Sequence, residues 1–175
     1  MSAISLIPLS AELHTAALQE VYRATPGYWK MHHFAAIPEG QAANDLKLAD
    51  EAPGRTILGI VQRIDPNDPQ AGAAMIGMID LRLHWPGHTV ASIGLMMVAE
   101  PYQRQQVATQ AWHLLAAWLA ASAGMLKVRV SIEQFNVAAL KFFESVDFKL
   151  TGETSRMHLG TKLVRLLYME QELRI

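Results

Sequence analysis

The sequence contains no cysteine. This absence excludes disulfide bonds, thiolate metal ligands, a Cys-X-X-Cys redox pair and a covalent cysteine nucleophile. Any group-transfer chemistry must therefore use other side chains or the backbone.

The sequence also lacks an apolar run long enough to cross a membrane. Its longest apolar tract, residues 111–126, contains His113 and Ser122 and is shorter than the roughly 20 residues that a span needs. We predict a buried helix there. The first residues have no basic run ahead of an apolar stretch, which argues against a secretory signal. We therefore expect a cytoplasmic protein.

No excess of one charge sign is present. The chain has 15 Lys and Arg against 16 Asp and Glu, a formal net charge of −1 at pH 7. No field of the whole chain would hold a nucleic acid or an anionic bilayer. We therefore expect neither a nucleic acid nor a membrane as a partner.

Several site signatures are missing as well. The sequence has no phosphate-loop Gly-Lys-Ser/Thr motif, no Gly-X-Gly-X-X-Gly and no Gly-X-Ser-X-Gly, so kinase, dehydrogenase and serine hydrolase functions lose their main support. His84 and His88 have a metal-like spacing, but Pro86 and Gly87 between them forbid a helix. We expect no metal site.

The chain is large enough for one core. Of its 175 residues, 51% are hydrophobic and 18% are charged, and a chain of this length buries about 70% of its unfolded surface. No internal repeat or low-complexity linker divides it. We predict one domain over residues 1–175.

The order of apolar periodicities predicts an α/β fold. A strand at residues 5–9 leads into a helix capped by Ser10, and two or three helices precede the next strand. The segments 55–65, 75–85 and 90–98 predict an antiparallel meander. The remaining segments predict helix, strand, helix, strand and strand, over 104–124, 127–132, 136–146, 148–151 and 163–169. On the first of these helices the predicted buried stripe is Val107, Ala111, Leu114, Leu115 and Trp118.

The junction between Ile93 and Thr109 is the most informative part of the sequence. An apolar strand passes through a short loop into a helix, so the amides of residues 105–109 emerge unpaired at the positive end of a helix dipole. Such amides bind phosphate groups. An ordinary strand-to-helix connection has the same features and is the alternative.

This junction resembles the pyrophosphate loop of the GNAT superfamily of acyl-CoA-dependent N-acyltransferases. The family loop reads Arg or Gln, two residues, Gly, one residue, and Gly or Ala, and this chain has Gln103, Gln106 and Ala108 at those anchors. Downstream, the segment from Asn136 to Phe148 resembles a second family segment, which starts with Asn and ends with Gly-Phe. With the element order, the resemblance extends over residues 55–152.

The resemblance implies a mixed, mostly antiparallel sheet of about seven strands flanked by helices. It implies acetyl-CoA as co-substrate, with Met96 and Val98 pairing with its pantetheine arm. The Met96 N–H would face the thioester carbonyl and stabilise the oxyanion. The other cofactor-binding residues that it implies are Gln103, Arg104, Gln105, Gln106, Val107, Ala108, Thr109, Asn136 and Phe143.

Some positions depart from the family pattern. Gln106 puts a side chain where Gly is usual, so either the backbone keeps a negative φ or the phosphate sits farther out. Phe143 stands where many members have a Tyr that reprotonates the leaving thiolate, and Phe has no proton to give. Ser92 stands where some members have a Glu base.

A base is still needed, because an alkylammonium with a pKa of about 10 has no free lone pair at pH 7. The candidates are Asp80, Glu100 and His84, the last acting through water. We favour Asp80 as the catalytic residue beside the Met96 amide. The alternative for Asp80 is a solvated residue on the polar face of a strand.

Tyr28, Trp29 and His33 are the candidate substrate-binding residues. They occupy the segment that covers the acceptor side of the cleft in proteins that this chain resembles. Core packing is the alternative for the two aromatic residues.

The resemblance to the GNAT superfamily implies an N-acetyltransferase that transfers an acetyl group from acetyl-CoA to a primary amine of a small molecule or peptide, by direct attack in a ternary complex. The alternative, favoured by Gln106, Phe143 and Ser92, is a catalytically silent acyl-CoA-binding or interaction module on the same fold. Trp112 and Trp118 fall on different faces of one helix, so both cannot point into the core. We expect one of them to be exposed or to lie in the subunit contact of a homodimer.

Overall fold

The structure of the protein, a computed structural model, describes residues 3–174. These residues form seven strands, five α-helices and one short 3₁₀ helix. In chain order they are β1 (Ile4–Pro8), α1 (Ala11–Arg23), α2 (Pro26–Met31), α3 (Gln41–Glu51), β2 (Arg55–Arg63), β3 (Ala73–Leu83), β4 (Val90–Val98), the 3₁₀ helix (Glu100–Tyr102), α4 (Val107–Ala121), β5 (Lys127–Glu133), α5 (Val137–Ser145), β6 (Lys149–Leu159) and β7 (Lys162–Glu172).

The seven strands form one sheet in the order β1-β2-β3-β4-β5-β7-β6. The pairs β1–β2, β5–β7 and β6–β7 are antiparallel. The pair β4–β5 is parallel, and α4 supplies the crossover that a parallel pair requires. The predicted α/β class, with a mixed and mostly antiparallel sheet, is confirmed.

Local sequence explains where the first helices begin. The Ser10 side chain accepts the Leu13 N–H and caps α1, as predicted. α1 ends at Arg23, and Pro26 starts the six-residue helix α2, because proline suits the first turn of a helix. The aromatic stretch after Pro26 therefore begins on a helix, and three helices precede β2.

The chain divides into two compact units. The first contains the described residues up to Leu81 together with Leu95–Leu115. Its core is built by α1, α2, α3 and strands β2 to β4, and Leu18 and Tyr22 are fully buried there. The remaining buried side chains of that core are Leu9, Val21, Trp29, Ala42, Leu46, Ala49, Ile57, Met78 and Met97.

The second unit contains Arg82–Gly94 and the described residues from Ala116 onward. Along β5 every second residue is buried, namely Val128, Val130 and Ile132. The Phe143 and Phe148 rings meet edge to face, with centroids 5.0 Å apart, and both are buried.

The buried face of α4 is only partly the predicted one. Val107, Ala111 and Leu115 are buried as predicted, but Leu114 and Trp118 are 45% and 43% exposed. Trp112 and Leu119 are buried in addition. The prediction failed for these positions because α4 is apolar on nearly every side, so a helical period does not single out one stripe.

No helix among residues 3–174 is long and apolar enough to span a membrane. The same residues contain no group of three or more His, Cys, Asp or Glu side chains that could hold a metal ion.

Candidate active site

β4 pairs with β5 along only part of its length. The parallel register runs from Val90 with Lys127 to Ile93 with Val130, whereas β4 continues to Val98. The backbone N–H and C=O groups of β4 beyond Ile93 therefore have no partner on β5 in this register. Met96 lies half-buried on this part of β4 and Val98 is 9% exposed.

A glycine on β3 lets this half of β4 approach closely. A Cβ at Gly77 would lie 2.5 Å from the Met97 carbonyl oxygen and 3.3 Å from the Val98 Cα. Next to this contact the Ala99 amide donates to the Ile76 carbonyl at 2.8 Å. The position of the β4 backbone thus depends on the missing side chain at Gly77.

The loop before α4 adopts a conformation that is unusual for its residues. Arg104 has a φ of +59° and Gln106 a φ of +60°, in the left-handed region that non-glycine residues rarely enter. Of the two arrangements expected for Gln106, the negative φ is therefore wrong. The backbone takes the glycine conformation, and the Gln106 side chain extends into solvent.

Two glutamine side chains form hydrogen bonds that stabilise this loop. Gln103 Nε2 donates to the Val98 carbonyl at 2.8 Å, and Gln105 Nε2 donates to the Pro101 carbonyl at 3.0 Å. These bonds tie Gln103 to the end of β4 and Gln105 to the 3₁₀ helix, so hydrogen bonds within the loop and not glycine residues support its shape.

The loop amides are available to a ligand. Gln103 N–H donates to the Glu100 carbonyl at 3.2 Å. Among the described residues, the next backbone amide that has a backbone acceptor is that of Gln110, which donates to the Gln106 carbonyl at 3.0 Å. The amides of residues 104–109 therefore have no backbone acceptor there. The first turn of α4 contains no acidic residue. Free amides at a helix N-terminus attract anions, so residues 104–109 fit a diphosphate.

The side chains of the same segment differ in exposure. Val107 is 3% exposed and anchors the start of α4 in the core. Ala108 and Thr109 are half-buried, and the exposed side chains are those of Gln103, Arg104, Gln105 and Gln106. The structure thus brings together the predicted cofactor residues from Met96 to Thr109 on one continuous segment.

In the second unit, Asn136 and Phe143 have structural contacts. The Asn136 side-chain oxygen accepts the Ala139 N–H at 3.2 Å and caps α5, so a ligand contact would use its amide nitrogen. Phe143 is 5% exposed and packs edge-on against Phe142 and Phe148. The phenylalanine side chain therefore serves the core.

Asp80 lies in a bidentate ion pair on β3. Arg55 Nε donates to Asp80 Oδ1 at 3.0 Å, and Arg55 Nη2 donates to Oδ2 at 2.6 Å. Its side chain is 17% exposed, and this partly buried ion pair fits a structural role as well as a base. Hydrogen bonding to Asp80 raises the pKa of Arg55.

A second carboxylate lies in the same unit as this ion pair. Asp45 on α3 accepts the Tyr22 hydroxyl at 2.7 Å and the Gln41 side-chain amide at 2.7 Å. Burial, and then the hydrogen bond to Asp45, raises the pKa of Tyr22 far above its ordinary value. Tyr22 therefore stays protonated and donates to Asp45.

The three candidate acceptor residues have different environments. Trp29 is 6% exposed and its indole N–H donates to the Tyr22 carbonyl at 3.0 Å, which fits the core-packing alternative. Tyr28 is half-buried beside it, with ring centroids 5.2 Å apart. His33 is exposed and has a φ of +63°.

The other candidate bases already have partners. Glu100 Oε1 accepts the Gly27 N–H at 2.8 Å. His84 lies exposed in the β3–β4 hairpin, where its Nδ1 contacts the His88 carbonyl and its ring stacks on that of His88.

A sequence model of the Acetyltransferase (GNAT) family matches residues 16–148. The chain belongs to the GNAT acetyltransferase family. It is an acyltransferase, and members of this family generally use acetyl-CoA as the acyl donor. No curated protein matches the sequence significantly.

Solved structures share the fold of this GNAT acetyltransferase along almost its whole length. An acetyltransferase from Thermus thermophilus has a TM-score of 0.77 at 19% identity, over 99% of this chain and 100% of that one. A GNAT-family acetyltransferase from Streptococcus pneumoniae gives 0.63 at 9% identity, over 98% and 100%. Mutant forms of the spermidine/spermine N-acetyltransferase from Vibrio cholerae give 0.68 at 13% identity, over 98% and 95%.

Two basic residues of the second unit, Lys127 and Arg129, form ion pairs with acidic residues. Arg129 contacts Glu153 at 2.7 Å and Glu170 at 2.9 Å, and Lys127 contacts Glu170 at 3.1 Å. Burial alone would raise the pKa of Glu170, but hydrogen bonds from Lys127 and Arg129 outweigh it and lower the pKa.

Sequence reasoning missed two contributions to the site of this acetyltransferase. Gly77 was not singled out, and an isolated glycine inside an otherwise apolar strand is a signal of close backbone approach that could have found it. The bond between Glu100 and Gly27 has no local signal, because it joins residues 73 positions apart.

Proposed function

We propose that this GNAT acetyltransferase transfers an acetyl group from acetyl-CoA to a primary amine of a small molecule or peptide, by direct attack in a ternary complex. The observation that carries the proposal is the segment of amides at residues 104–109, which have no backbone acceptor within the described part of the chain and directly follow the open edge of β4. Together they offer a diphosphate site next to a backbone edge.

In this proposal the loop amides from Gln103 to Thr109 hold the diphosphate, and the Met96 and Val98 backbone pairs with the pantetheine arm. The side-chain exposure of Arg104 and Gln106 supports further contacts with the phosphates. Asn136 and Phe143 take their cofactor role only from the family correspondence.

When bound, acetyl-CoA supplies the activated acyl group. The amine nitrogen forms the new C–N bond, the C–S bond breaks, and the CoA sulfur leaves as thiolate. The Met96 N–H would donate to the oxyanion that develops in the transition state. Phe143 has no proton to give, so water is the eventual proton donor to the thiolate.

Asp80 remains the proposed base for the amine proton. A carboxylate has about four lone-pair positions, and Arg55 occupies one on each oxygen. The ion pair fixes the orientation of the carboxylate and leaves acceptor positions for the amine or for a bridging water.

For the acceptor side we propose Tyr28 and His33, which are half-buried and exposed respectively. Trp29 would act indirectly, because its ring packs edge to face against the Tyr28 ring and holds it in place. The fold shared with a spermidine/spermine N-acetyltransferase is a reason to include polyamines among the amines tested.

The second candidate is a silent acyl-CoA-binding module. The burial of Phe143 among other aromatic rings favours it, because no proton donor stands at that position. In this case acetyl-CoA would bind but no thiol would be released.

The test combines binding and turnover. Thermal unfolding with acetyl-CoA is followed by thiol release against a panel of polyamines, amino acids, peptides and aminoglycosides. We expect both stabilisation and release. Stabilisation without thiol release supports the silent module. The absence of both stabilisation and thiol release would contradict both candidates.

A loop variant tests the assignment of the site. Ala108→Glu places charge and bulk beside the diphosphate and should abolish stabilisation by acetyl-CoA. Ala117→Glu adds the same charge at an exposed position of α4. This control should retain the stabilisation by acetyl-CoA. Persistent stabilisation of Ala108→Glu would show that the loop is wrongly assigned.

We further propose a cytoplasmic homodimer. The exposed Trp118 on α4 supports the dimer, since a large apolar side chain at 43% exposure is a candidate for a subunit contact. Light scattering of the wild type and of Trp118→Glu tests it, and a monomeric wild type would contradict it.

A further inference from the structure

Glu100 joins two parts of the first unit that lie far apart in sequence. Its amide donates to the Ala24 carbonyl at 2.8 Å, and its Oε1 accepts the Gly27 N–H at 2.8 Å. Glu100 also begins the 3₁₀ helix that leads into Gln103. One residue thus ties the start of α2 to the loop before α4 through both backbone and side chain.

The side chain of Glu100 supplies a cap that the sequence of α2 itself lacks. The N-cap residue Thr25 makes no cap bond, and the first turn has no acidic residue. The Thr25 hydroxyl instead donates to the Val21 carbonyl at 2.7 Å. Glu100 supplies both the oxygen acceptor and the negative charge that a helix N-terminus favours.

The absence of a side chain at Gly27 makes room for this contact. A Cβ there would lie 3.0 Å from Glu100 Oε1, closer than ordinary packing allows. A larger residue at this position would require the carboxylate to move by a few tenths of an ångström, because Oε1 is the end of a flexible side chain. Glycine therefore leaves the contact with Glu100 unhindered.

We infer that Glu100 is a positioning residue that couples the acceptor segment to the cofactor loop. The inference rests on the proposed function, because it takes Tyr28, next to Gly27, as part of the acceptor side. Acetyl-CoA bound to residues 103–109 holds the Glu100 segment in place, and through Glu100 it orders α2. Binding of the acyl donor and of the amine is then coupled, and the coupling is reciprocal.

The main test is hydrogen exchange of the full chain with and without acetyl-CoA. In the wild type acetyl-CoA should slow exchange in residues 103–110 and also in residues 27–31. In Glu100→Ala it should slow exchange only in residues 103–110. Equal slowing of residues 27–31 in both proteins, or no slowing there in the wild type, would overturn the coupling.

Two matched variants separate positioning from charge. Glu100→Gln keeps a side-chain oxygen that can accept the Gly27 N–H, so it should behave like the wild type. Glu51→Ala removes an exposed carboxylate of α3, whose ion pair with Lys47 spans 4.0 Å, and should change nothing at α2. Without acetyl-CoA, residues 27–31 should exchange about fivefold faster in Glu100→Ala than in these controls.

Kinetics give the second readout. Glu100→Ala should raise the KM for the amine about tenfold and change the KM for acetyl-CoA less than about threefold, whereas Glu100→Gln should stay near the wild type. An equal loss of kcat in both variants would indicate that Glu100 is the base, against our inference. If the wild type releases no thiol the proposed transfer fails, but the exchange of residues 27–31 still decides the role of Glu100.

Discussion

Arg55 donates to both carboxylate oxygens of Asp80, at 3.0 and 2.6 Å. Asp80 is 17% exposed and Arg55 26% at their side chains, so the pair is partly shielded from solvent and holds one geometry. A bidentate pair fixes the carboxylate plane. This would give a base a defined direction, which an isolated aspartate on a strand would lack.

The base proposal predicts the effect of Asp80→Asn. The amide cannot accept the amine proton, so kcat/KM should fall by at least about 10²-fold. Acetyl-CoA should still stabilise the protein, because the loop amides are unchanged. Steady-state rates with the best amine of the panel, measured well below the unfolding temperature, check this.

Asp45→Asn is the matched control for Asp80→Asn. Asp45 also has two hydrogen-bond donors, Tyr22 and Gln41, so its loss perturbs a neighbouring polar group without removing the proposed base. It should lower stability and leave kcat/KM nearly unchanged. Comparable rates in Asp80→Asn and the wild type would exclude Asp80 as the base.

The left-handed backbone at Gln106 predicts opposite effects of two substitutions. Gln106→Gly relieves about 1–2 kcal/mol of local strain but adds backbone entropy to the unfolded chain, worth about 0.5–1 kcal/mol. We expect a slight gain in stability and full stabilisation by acetyl-CoA. Gln106→Val puts a β-branched residue at φ +60°. This variant should lose most of the stabilisation by acetyl-CoA.

Denaturant unfolding and acetyl-CoA thermal shifts measure both effects. His113→Val is the control, because it puts the same β-branched side chain at an exposed position of α4 whose backbone is not left-handed. It should keep the stabilisation by acetyl-CoA. Undiminished acetyl-CoA binding by Gln106→Val would mean that the loop shape is unimportant for the diphosphate.

The contact between Gly77 and β4 predicts a large effect of one methyl group. Gly77→Ala would place its Cβ 2.5 Å from the rigid Met97 carbonyl, so β4 must move. We expect a loss of about 1–3 kcal/mol in unfolding free energy and weaker acetyl-CoA binding, because the Met96 and Val98 backbone shifts.

Gly59→Ala is the control for this contact. A Cβ there meets Leu9 Cδ2 at 2.8 Å and Met75 Cε at 3.2 Å, which are the ends of flexible side chains that can turn aside. It should cost less stability than Gly77→Ala and leave acetyl-CoA binding intact. Equal losses of binding in both variants would contradict a special role for Gly77.

Much of the fold was predictable because it depends on local signals. The cap at Ser10 gives the start of α1, and the apolar run 90–98 gives the bounds of β4. The strand-to-helix junction before α4 was predictable from the change in apolar period, and its role as a phosphate loop stays a prediction. Such signals act within a few residues of the feature that they specify.

Features that depend on tertiary contacts were not predictable. β6 extends to Leu159 although most of its side chains are exposed, because pairing with β7 and not an apolar pattern defines it. The face of α4 and the left-handed φ of Gln106 depend on what packs and bonds around them. Arg55 was not expected as the partner of Asp80, since 25 positions separate them.

The ion pairs of Glu170 predict a pH dependence of stability. Contacts with Lys127 and Arg129 lower the pKa of Glu170 below its value in the unfolded chain, against the effect of burial. A lowered pKa stabilises the folded state above the unfolded value of about 4.3, and the gain is lost as pH falls through the folded value. At pH 7, Glu170→Gln should therefore lower the unfolding free energy by about 1 kcal/mol.

Thermal unfolding at a series of pH values measures this effect. At pH 7 the melting temperature of Glu170→Gln should lie about 2–4 °C below that of the wild type, and the difference should shrink as pH falls below about 4. Glu144→Gln removes a carboxylate of α5 that makes no ion pair among the described residues, and it should match the wild type throughout. A constant gap between Glu170→Gln and the wild type at every pH would mean that the glutamate acts by its size or hydrogen bonds and not by its charge.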